Sequence, residues 1–559
     1  MSSASTCLGL HVGHDRAISI VQGGQLTFHI AVERLDRRKY SDSPNLPVAA
    51  IREVLNRLAI PVAALEATCV SYHGVEAGKI SSTLEADFKA AFPEFKGRFS
   101  ALDHHLAHAL AAFSCSPFDE AVVFVADGAG DVRLWGSQSE SVFHVSRKHF
   151  YPLVERVQDR PLSLVDRPEF FDPNFFTPDD RKRQISLGLK YEQLTYLCGF
   201  APGQAGQTMA LAAYGTPLFD IAPLVPRDFG FSLRYIDLLD RMDELAREKG
   251  LTLRQFASQH KADVAATAQT YIQRSLTSLV DYIVRTYNPT NLCFAGGVFL
   301  NCLTNRDIID KYRSRGLFIL PACHDEGQSL GAAAYAYWQL TATLPSVGAD
   351  FPYLGFQYSQ EDCDAAMSQA GMDFERQDDH VLARRLAELI ASGRICAVLR
   401  GRSETGPRAL GHRSILADPR SRRSKSQLDR AIKRRARFRP YAPMVLLSRM
   451  QDYFDANDQS PYMLLSAQVK PEHRAQLQAV THVDGSARPQ TVSPDDDAFL
   501  CDLLMQFEEQ AGVPVLLNTS FNDETEPIVE SPQDAIRIFH STELDALVLG
   551  SSLHVKPRS

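Results

Sequence analysis

Apolar positions change their spacing along the chain, and each change predicts an element. Leu8–Val12, Ala17–Gln22 and Leu26–Val32 are short runs rich in β-favouring residues. Gly13-His14-Asp15 and a Gly23-Gly24 turn divide them, so the chain opens as a meander of three strands. A related unit recurs at Ala121–Ala126, an apolar strand followed by the acidic turn Asp127-Gly128-Ala129-Gly130-Asp131 and a strand-like stretch from Val132 to Gly136. Two copies of strand, acidic turn and returning strand predict a duplicated α/β lobe of the actin-like kind, in which turns from both lobes face one phosphate cleft. Farther on, Val264, Ala268, Ile272, Leu276, Leu279 and Ile283 recur at three- and four-residue steps and predict an amphipathic helix that Asn288-Pro289 ends. Leu292–Ala295 and Leu317–Leu320 then read as short buried strands, and a helix begins near Ser329.

Pro345, Gly348 and Pro352 interrupt the pattern and divide the chain into residues 1–345 and 355–559. In the second part Glu361–Ala370 and Val381–Ile390 read as helices and Ile395–Leu399 as a strand. No run reaches about 18 uninterrupted apolar residues, and Met1–Cys7 lacks a secretory signal's basic start and apolar core. The expectation is a cytoplasmic protein with no membrane partner. Ten scattered cysteines without a CxxC pair fit reduced, mostly buried thiols.

Charge changes this picture in one place. The chain carries a net −8, yet fifteen Lys/Arg face only three Asp/Glu between Arg394 and Arg439, a local +12 that leaves −20 on the rest. A basic island in an acidic chain suits a small polyanion, a phosphate or nucleotide, rather than a nucleic acid.

The candidate chemistry falls into two groups. His104 and His108 lie four residues apart, on one face of a helix, as two imidazoles must to reach one metal. The turn Asp127 to Asp131 and the loop His324-Asp325-Glu326-Gly327 add carboxylates at strand ends, and two His with one or two Asp suit iron, manganese or zinc. Gly296 and Gly297 follow a buried strand and let the backbone approach a ring or ribose, with Asn301 offering an amide. In the second part, Arg408 in Gly406-Pro407-Arg408-Ala409-Leu410-Gly411 and Arg439 in Phe438-Arg439-Pro440 are arginines held in rigid loops, suited to phosphate or carboxylate. Asp484-Gly485-Ser486-Ala487-Arg488-Pro489 and Asn518-Thr519-Ser520-Phe521-Asn522 supply a further loop arginine and a polar turn, whose donors would converge on an oxyanion. There is no GxSxG elbow and no Walker loop.

In this order the motifs resemble those of the NodU/CmcH carbamoyltransferases, a family that includes nodulation-factor, cephamycin and tobramycin enzymes. The resemblance covers nearly the whole chain and also takes in Gly13-His14-Asp15. It implies an α/β chain with an actin-like, duplicated ribonuclease-H-like first domain and a YrdC-like second one. The second would convert carbamoyl phosphate and ATP, with Mg2+, to carbamoyladenylate on residues matching Arg408, Lys433, Arg439, Arg488, Asn518 and Ser520. The first would then pass the carbamoyl group to a hydroxyl of a small-molecule acceptor, at a metal held by His104, His108, Asp325 and an aspartate of the 127–131 turn. The metal implied is Fe2+, with Mn2+ or Zn2+ as alternatives. Asp127 is the preferred ligand, leaving Asp131 with Gly296, Gly297 and Asn301 to the nucleotide, and His14 is the candidate base. Relatives carry a Gly-Lys where this chain has Gly206-Gln207, which removes a positive charge from that loop. Acceptor recognition is expected in Asp159–Arg183, and a homodimer is the default assembly. A tRNA threonylcarbamoyl-type transferase and a non-catalytic sensor of nucleotide or carbamoyl phosphate are the competing readings.

Overall fold

The computed structural model describes residues 5–72, 77–133, 136–158, 186–221, 235–433, 436–456 and 458–557. The chain divides into two compact units, one of Met1–Val32 with Tyr40–Phe351 and the other of Glu33–Lys39 with Pro352–Ser559. The short stretch Glu33–Lys39, which a single cut near residue 350 assigns to the first domain, therefore packs in the second.

The first unit is built on strands β1 (Thr6–Val12), β2 (Ala17–Gln22), β3 (Gln25–Ala31), β4 (Leu65–Tyr72), β5 (Arg98–Leu102), β6 (Glu120–Ala126), β7 (Val132–Arg133), β8 (Gly136–Ser146), β9 (Phe150–Gln158), β10 (Asn291–Ala295), β11 (Gly316–Ile319) and β12 (Ser346–Val347). One sheet runs β12-β3-β2-β1-β4-β5 and the other β11-β10-β6-β8-β7, with β9 paired to β8. In the first sheet β1 to β3 form an antiparallel meander, while β4 and β5 extend β1 in parallel. In the second, β6, β8 and β9 form the meander, while β10 and β11 extend β6 in parallel. Both sheets thus share the order 3-2-1-4-5, the duplicated ribonuclease-H-like arrangement expected of an actin-like domain. The returning strand is much longer than the predicted Val132–Gly136. Its first half, Ser137-Gln138-Ser139-Glu140-Ser141, is polar yet buried, so no apolar alternation announces it.

Two helices join the sheets. Gln328–Thr341 lies on β1, β2 and β4 and against His104–Cys115, which in turn lies on β6 and β10. Small residues allow this, and a Cβ added at Gly331 would stand 1.9 Å from the Ala107 carbonyl oxygen. That close approach brings the His104–Cys115 face to the carboxyl ends of β6 and β11. The predicted long helix is Lys261–Tyr287, ended by Asn288 in the left-handed conformation.

The second unit has an eight-stranded mixed sheet. Its strands are β13 (Glu375–Arg376), β14 (Cys396–Leu399), β15 (Arg413–Ala417), β16 (Ala442–Leu446), β19 (Gln490–Val492), β20 (Val515–Ser520), β21 (Ala546–Leu549) and β22 (Ser552–Val555), with β17 (Ala467–Gln468) and β18 (Ser486–Ala487) as a separate ladder. The order is β13-β22-β21-β14-β15-β20-β16-β19. Helices Gln360–Gln369, Asp379–Ala391, Ala498–Ala511 and Pro532–Ser541 cover it, burying Leu386, Ile390, Phe507 and Phe539 against Val398, Leu516 and Val548. All ten cysteines are buried free thiols. Among the described residues no helix is long and apolar enough to cross a membrane.

Candidate functional site

Helix His104–Cys115 starts at Asp103, whose side chain accepts from the Leu106 amide. That start fixes the phase of the helix, and His104 and His108 face one way, one turn apart. His105, between them, is buried on another side against the Ser141 hydroxyl, 2.7 Å away. The β6 strand delivers Asp127 to the histidine pair, and the loop after β11 delivers Asp325. One ligand atom from each of His104, His108, Asp127 and Asp325 lies within 4.8 Å of the other three.

The fit to a metal can be judged from distance and charge. His104 Nε2 is 3.2 Å from Asp127 Oδ2 and 3.5 Å from Asp325 Oδ1, and His108 Nε2 is 3.6 and 3.1 Å from the same atoms. An ion with bonds of about 2.1 Å separates neighbouring ligands by about 3.0 to 3.4 Å. Burial alone would neutralise all four groups. Instead the imidazoles hold each carboxylate below its usual range, and the carboxylates hold each imidazole above its own. Two carboxylates thus face two imidazoles in a buried site. One divalent cation balances the charge of the carboxylates and leaves both Nε2 lone pairs free to bind it.

Three further residues surround this cluster, and the sequence reading named only one. His14 is half-exposed, with Nε2 3.5 Å from Asp325 Oδ2 and Nδ1 2.9 Å from Asp15. Burial opposes its protonation, but Asp15, Asp325 and Asp127 outweigh it and lift its pKa to about 10. His11 is buried between the Ser71 hydroxyl and the His14 carbonyl, and burial first, then neighbouring imidazoles, push it down to about 3. Gln328 directs its amide nitrogen at His104 Nε2 (3.1 Å) and His108 Nε2 (3.3 Å), while its Oε1 is buried without a hydrogen-bond partner. Turning that amide over would present the oxygen to the two histidines. A histidine inside a strand and a glutamine at a helix start carry no spacing signal, which is why these two escape a sequence reading.

The residues read as nucleotide ligands have structural partners here. Gly296 has φ +97° and donates to the Cys323 carbonyl at 2.7 Å, and an added Cβ would stand 2.1 Å from the Ala126 carbonyl oxygen. The Gly297 amide donates to Asp127 Oδ1 at 2.9 Å, leaving Oδ2 to the histidines. Gly296→Ala is therefore expected to cost at least about 3 kcal/mol and to weaken metal binding by displacing Asp127, read by thermal melting and metal titration. Asn301 caps helix Cys302–Tyr312 at Thr304 and exchanges two hydrogen bonds with the Gln269 amide. Asp131 accepts from the His104 amide at 3.1 Å and so supports the helix start, outside the four-residue cluster.

In the second unit, register gathers the remaining candidates. Ser414 at the start of β15 pairs with Ser520 at the end of β20, Asn518 pairs with Ala442 at the start of β16, and Met444 pairs with Gln490 at the start of β19. The loops that carry Arg408, Ser520, Arg439 and Arg488 therefore emerge at one end of one sheet. Asn518, in β20, donates to the Ala409 carbonyl and to Gln490, and its Oδ1 is buried without a partner. Lys433, buried, directs Nζ at the carbonyl and side-chain oxygens of both Ser520 and Asn522. An ammonium has three donors, so its charge is fully engaged in ordering that turn. Lys433 is thereby a residue that holds the turn rather than one with donors to spare for a ligand.

Residues 78–334 match the N-terminal carbamoyltransferase model and residues 387–556 the C-terminal one. Nodulation protein NolNO of Sinorhizobium fredii is 32% identical over 98% of this chain and 79% of its own. The chain belongs to the carbamoyltransferase family. Nodulation protein NolO of Bradyrhizobium diazoefficiens, another relative, is 33% identical over 81% of this chain and 78% of its own. A crystal structure of full-length HypF in its phosphate- and nucleotide-bound form is similar over 60% of this chain and 55% of that one, at 14% identity and a TM-score of 0.42. The metal candidates of this carbamoyltransferase-family chain fall inside the N-terminal match and its loop arginines inside the C-terminal match. Asp131→Asn is expected to lower stability by about 1 kcal/mol and to keep one bound metal per chain, whereas Asp127→Asn should lose the metal. Loss of metal from Asp131→Asn with retention in Asp127→Asn would reverse the assignment, and equal content in the two would overturn it.

Proposed function

We propose that this chain is an ATP-dependent O-carbamoyltransferase that works in two steps. Register in the second sheet is the observation that carries the reading, because it gives four loops of Arg, Ser and Asn donors a common end. Such a set suits the phosphates of carbamoyl phosphate and of ATP, bound as its Mg2+ complex. Release of both phosphate and pyrophosphate requires one water. Water cleaves carbamoyl phosphate to carbamate and phosphate, and a carbamate oxygen then attacks the α-phosphorus of ATP, expelling pyrophosphate and forming carbamoyladenylate. We assign this chemistry to a YrdC-like second domain, with Arg408, Arg439 and Arg488 on the phosphates and Asn518 and Ser520 on the carbamoyl or ribose groups.

Transfer is assigned to the actin-like first unit. A divalent cation bound by His104, His108, Asp127 and Asp325, Fe2+ by our reading, would act as a Lewis acid toward the phosphate and carbonyl oxygens of the adenylate. Asp127 is fixed by the Gly297 amide, and the two histidines are fixed by one helix. We assign His14 the proton of the acceptor hydroxyl, since among the described residues it is the most exposed imidazole around the cluster, and a cation on Asp127 and Asp325 would offset two of the three carboxylates that otherwise keep it protonated. The hydroxyl oxygen bonds to the carbamoyl carbon, and AMP leaves. The Asp159–Arg183 stretch proposed to select a small-molecule acceptor lies outside the described residues.

Purified protein with ATP, carbamoyl phosphate, Mg2+ and Fe2+ is expected to release pyrophosphate and to form carbamoyladenylate, detected by mass spectrometry. Demonstrable binding of both substrates without either product would leave a sensor in place of an enzyme.

A further inference from the structure

The stretch Glu33–Lys39 that packs in the second unit carries four basic residues, of which Arg34, Arg37 and Lys39 donate to its loops. Arg34 is 4% exposed, donates from Nη2 to the Gly406 carbonyl at 2.9 Å, and holds Nη1 3.8 Å from Glu530. Arg37 donates to the Ile528 and Pro527 carbonyls, each at 2.8 Å, and to Glu526 at 3.2 Å, with Asp534 at 3.4 Å from its Nε. Lys39 donates to the Glu524 carbonyl at 2.6 Å.

These contacts fall on two loops that already carry the anion candidates. Gly406, with φ +100°, is two residues before Arg408. Residues 524–530 follow the Asn518–Asn522 turn directly, and Asn522 donates to the Glu526 carbonyl at 2.7 Å. The far side of the Arg408 loop is fixed independently. One oxygen of buried Glu404 accepts from the amides of Leu410, His412 and Arg413, each at 2.9 Å. Glu530, 1% exposed, accepts from the Ser403 hydroxyl at 2.9 Å and lies 3.7 Å from Arg413. The loop is thus clamped on both sides of Arg408, by Arg34 at Gly406 and by Glu404 at Leu410. A buried guanidinium is costly unless paired and hydrogen-bonded, and here Glu530 and the Gly406 carbonyl supply the partners.

We propose that Arg34 is a positioning residue of the anion site, which orients the Gly406–Arg408 segment so that Arg408 meets the phosphate of carbamoyl phosphate. The proposal rests on the assignment of carbamoyl phosphate to these loops. It makes the second unit's site depend on a segment that lies more than 300 residues earlier in the chain.

The test is calorimetric titration of the full chain with carbamoyl phosphate, without ATP. Arg34→Met is expected to weaken binding by on the order of tenfold or more, the effect of losing one charge-assisted hydrogen bond that orders a loop. Should that variant not fold, Arg34→Met/Glu530→Gln removes charge from both sides of the pair and is expected to show the same loss. Leu382→Ala, a cavity in the core of the same unit, is the stability control, with a lower melting temperature and the wild-type Kd. A Kd within twofold of wild type in either folded Arg34 variant overturns the proposal. So does wild-type protein that binds no carbamoyl phosphate, which discards the anion site with it. If binding depends on Arg34 but ATP addition yields no pyrophosphate, the activation chemistry fails and the positioning role stands.

Discussion

His108→Ala should leave pyrophosphate release intact while carbamoyladenylate accumulates and bound metal falls from one equivalent toward none. His108 Nε2 stands 3.1 Å from Asp325 and 3.6 Å from Asp127, so its removal strips one of four ligands and half of the imidazole contact to each carboxylate. Lewis-acid stabilisation amounts to several kcal/mol, and its loss corresponds to a fall in transfer of about a thousandfold or more. The buried carboxylates also lose a partner, so a lower melting temperature is expected, by about 3 kcal/mol of stability if they stay ionised. Metal content and adenylate accumulation need no knowledge of the acceptor, which makes the experiment practicable at once. If pyrophosphate release vanished as well, activation and transfer would share one centre and the two-step assignment would fall.

Lys433→Met is the complementary experiment. Its ammonium organises the Ser520–Asn522 turn through four oxygens, and methionine keeps the volume while deleting every donor. Buried oxygens that lose such a donor cost the turn about 1 to 3 kcal/mol, and the turn's hydroxyl and amide then drift from where charge develops. Pyrophosphate release should fall by about 100- to 1000-fold, with metal content unchanged. Arg439→Ala should fail at the same step. Retained pyrophosphate release in a folded Lys433→Met would move the activation site away from these loops.

Much of this was visible in the amino-acid sequence because the relevant signals are local. An i, i+4 pair of histidines fixes a helical face wherever the helix goes, and carboxylates just after apolar strands come to lie at sheet ends by necessity. Asp127 and Asp131 could not be separated that way, since a five-residue turn decides their directions through the Gln138 and Gly297 backbone contacts that only the fold supplies. Asn301 caps a helix and pairs with the Gln269 amide, a partner 32 residues away that no local pattern announces. The buried polar strand Ser137–Ser141 hid a whole hairpin, and Glu33–Lys39 hid for the opposite reason. Its charged residues resemble any solvated turn, and their partners are mostly backbone carbonyls, which carry no side-chain signature in sequence.

That same stretch has a consequence for the order in which the molecule can be made. Arg34 leaves the ribosome 372 residues ahead of Gly406, and Arg37 leaves it 491 residues ahead of Ile528. At translation rates of about 5 to 20 residues per second, Arg34 waits roughly 20 to 75 s for its acceptor. The meander of β1 to β3 that precedes it can form early, but Glu33–Lys39 must wait for its partners through most of the synthesis of residues 40–528. The contacts of this segment are then made late, by closures of very long sequence separation, and are expected to be among the slowest in refolding.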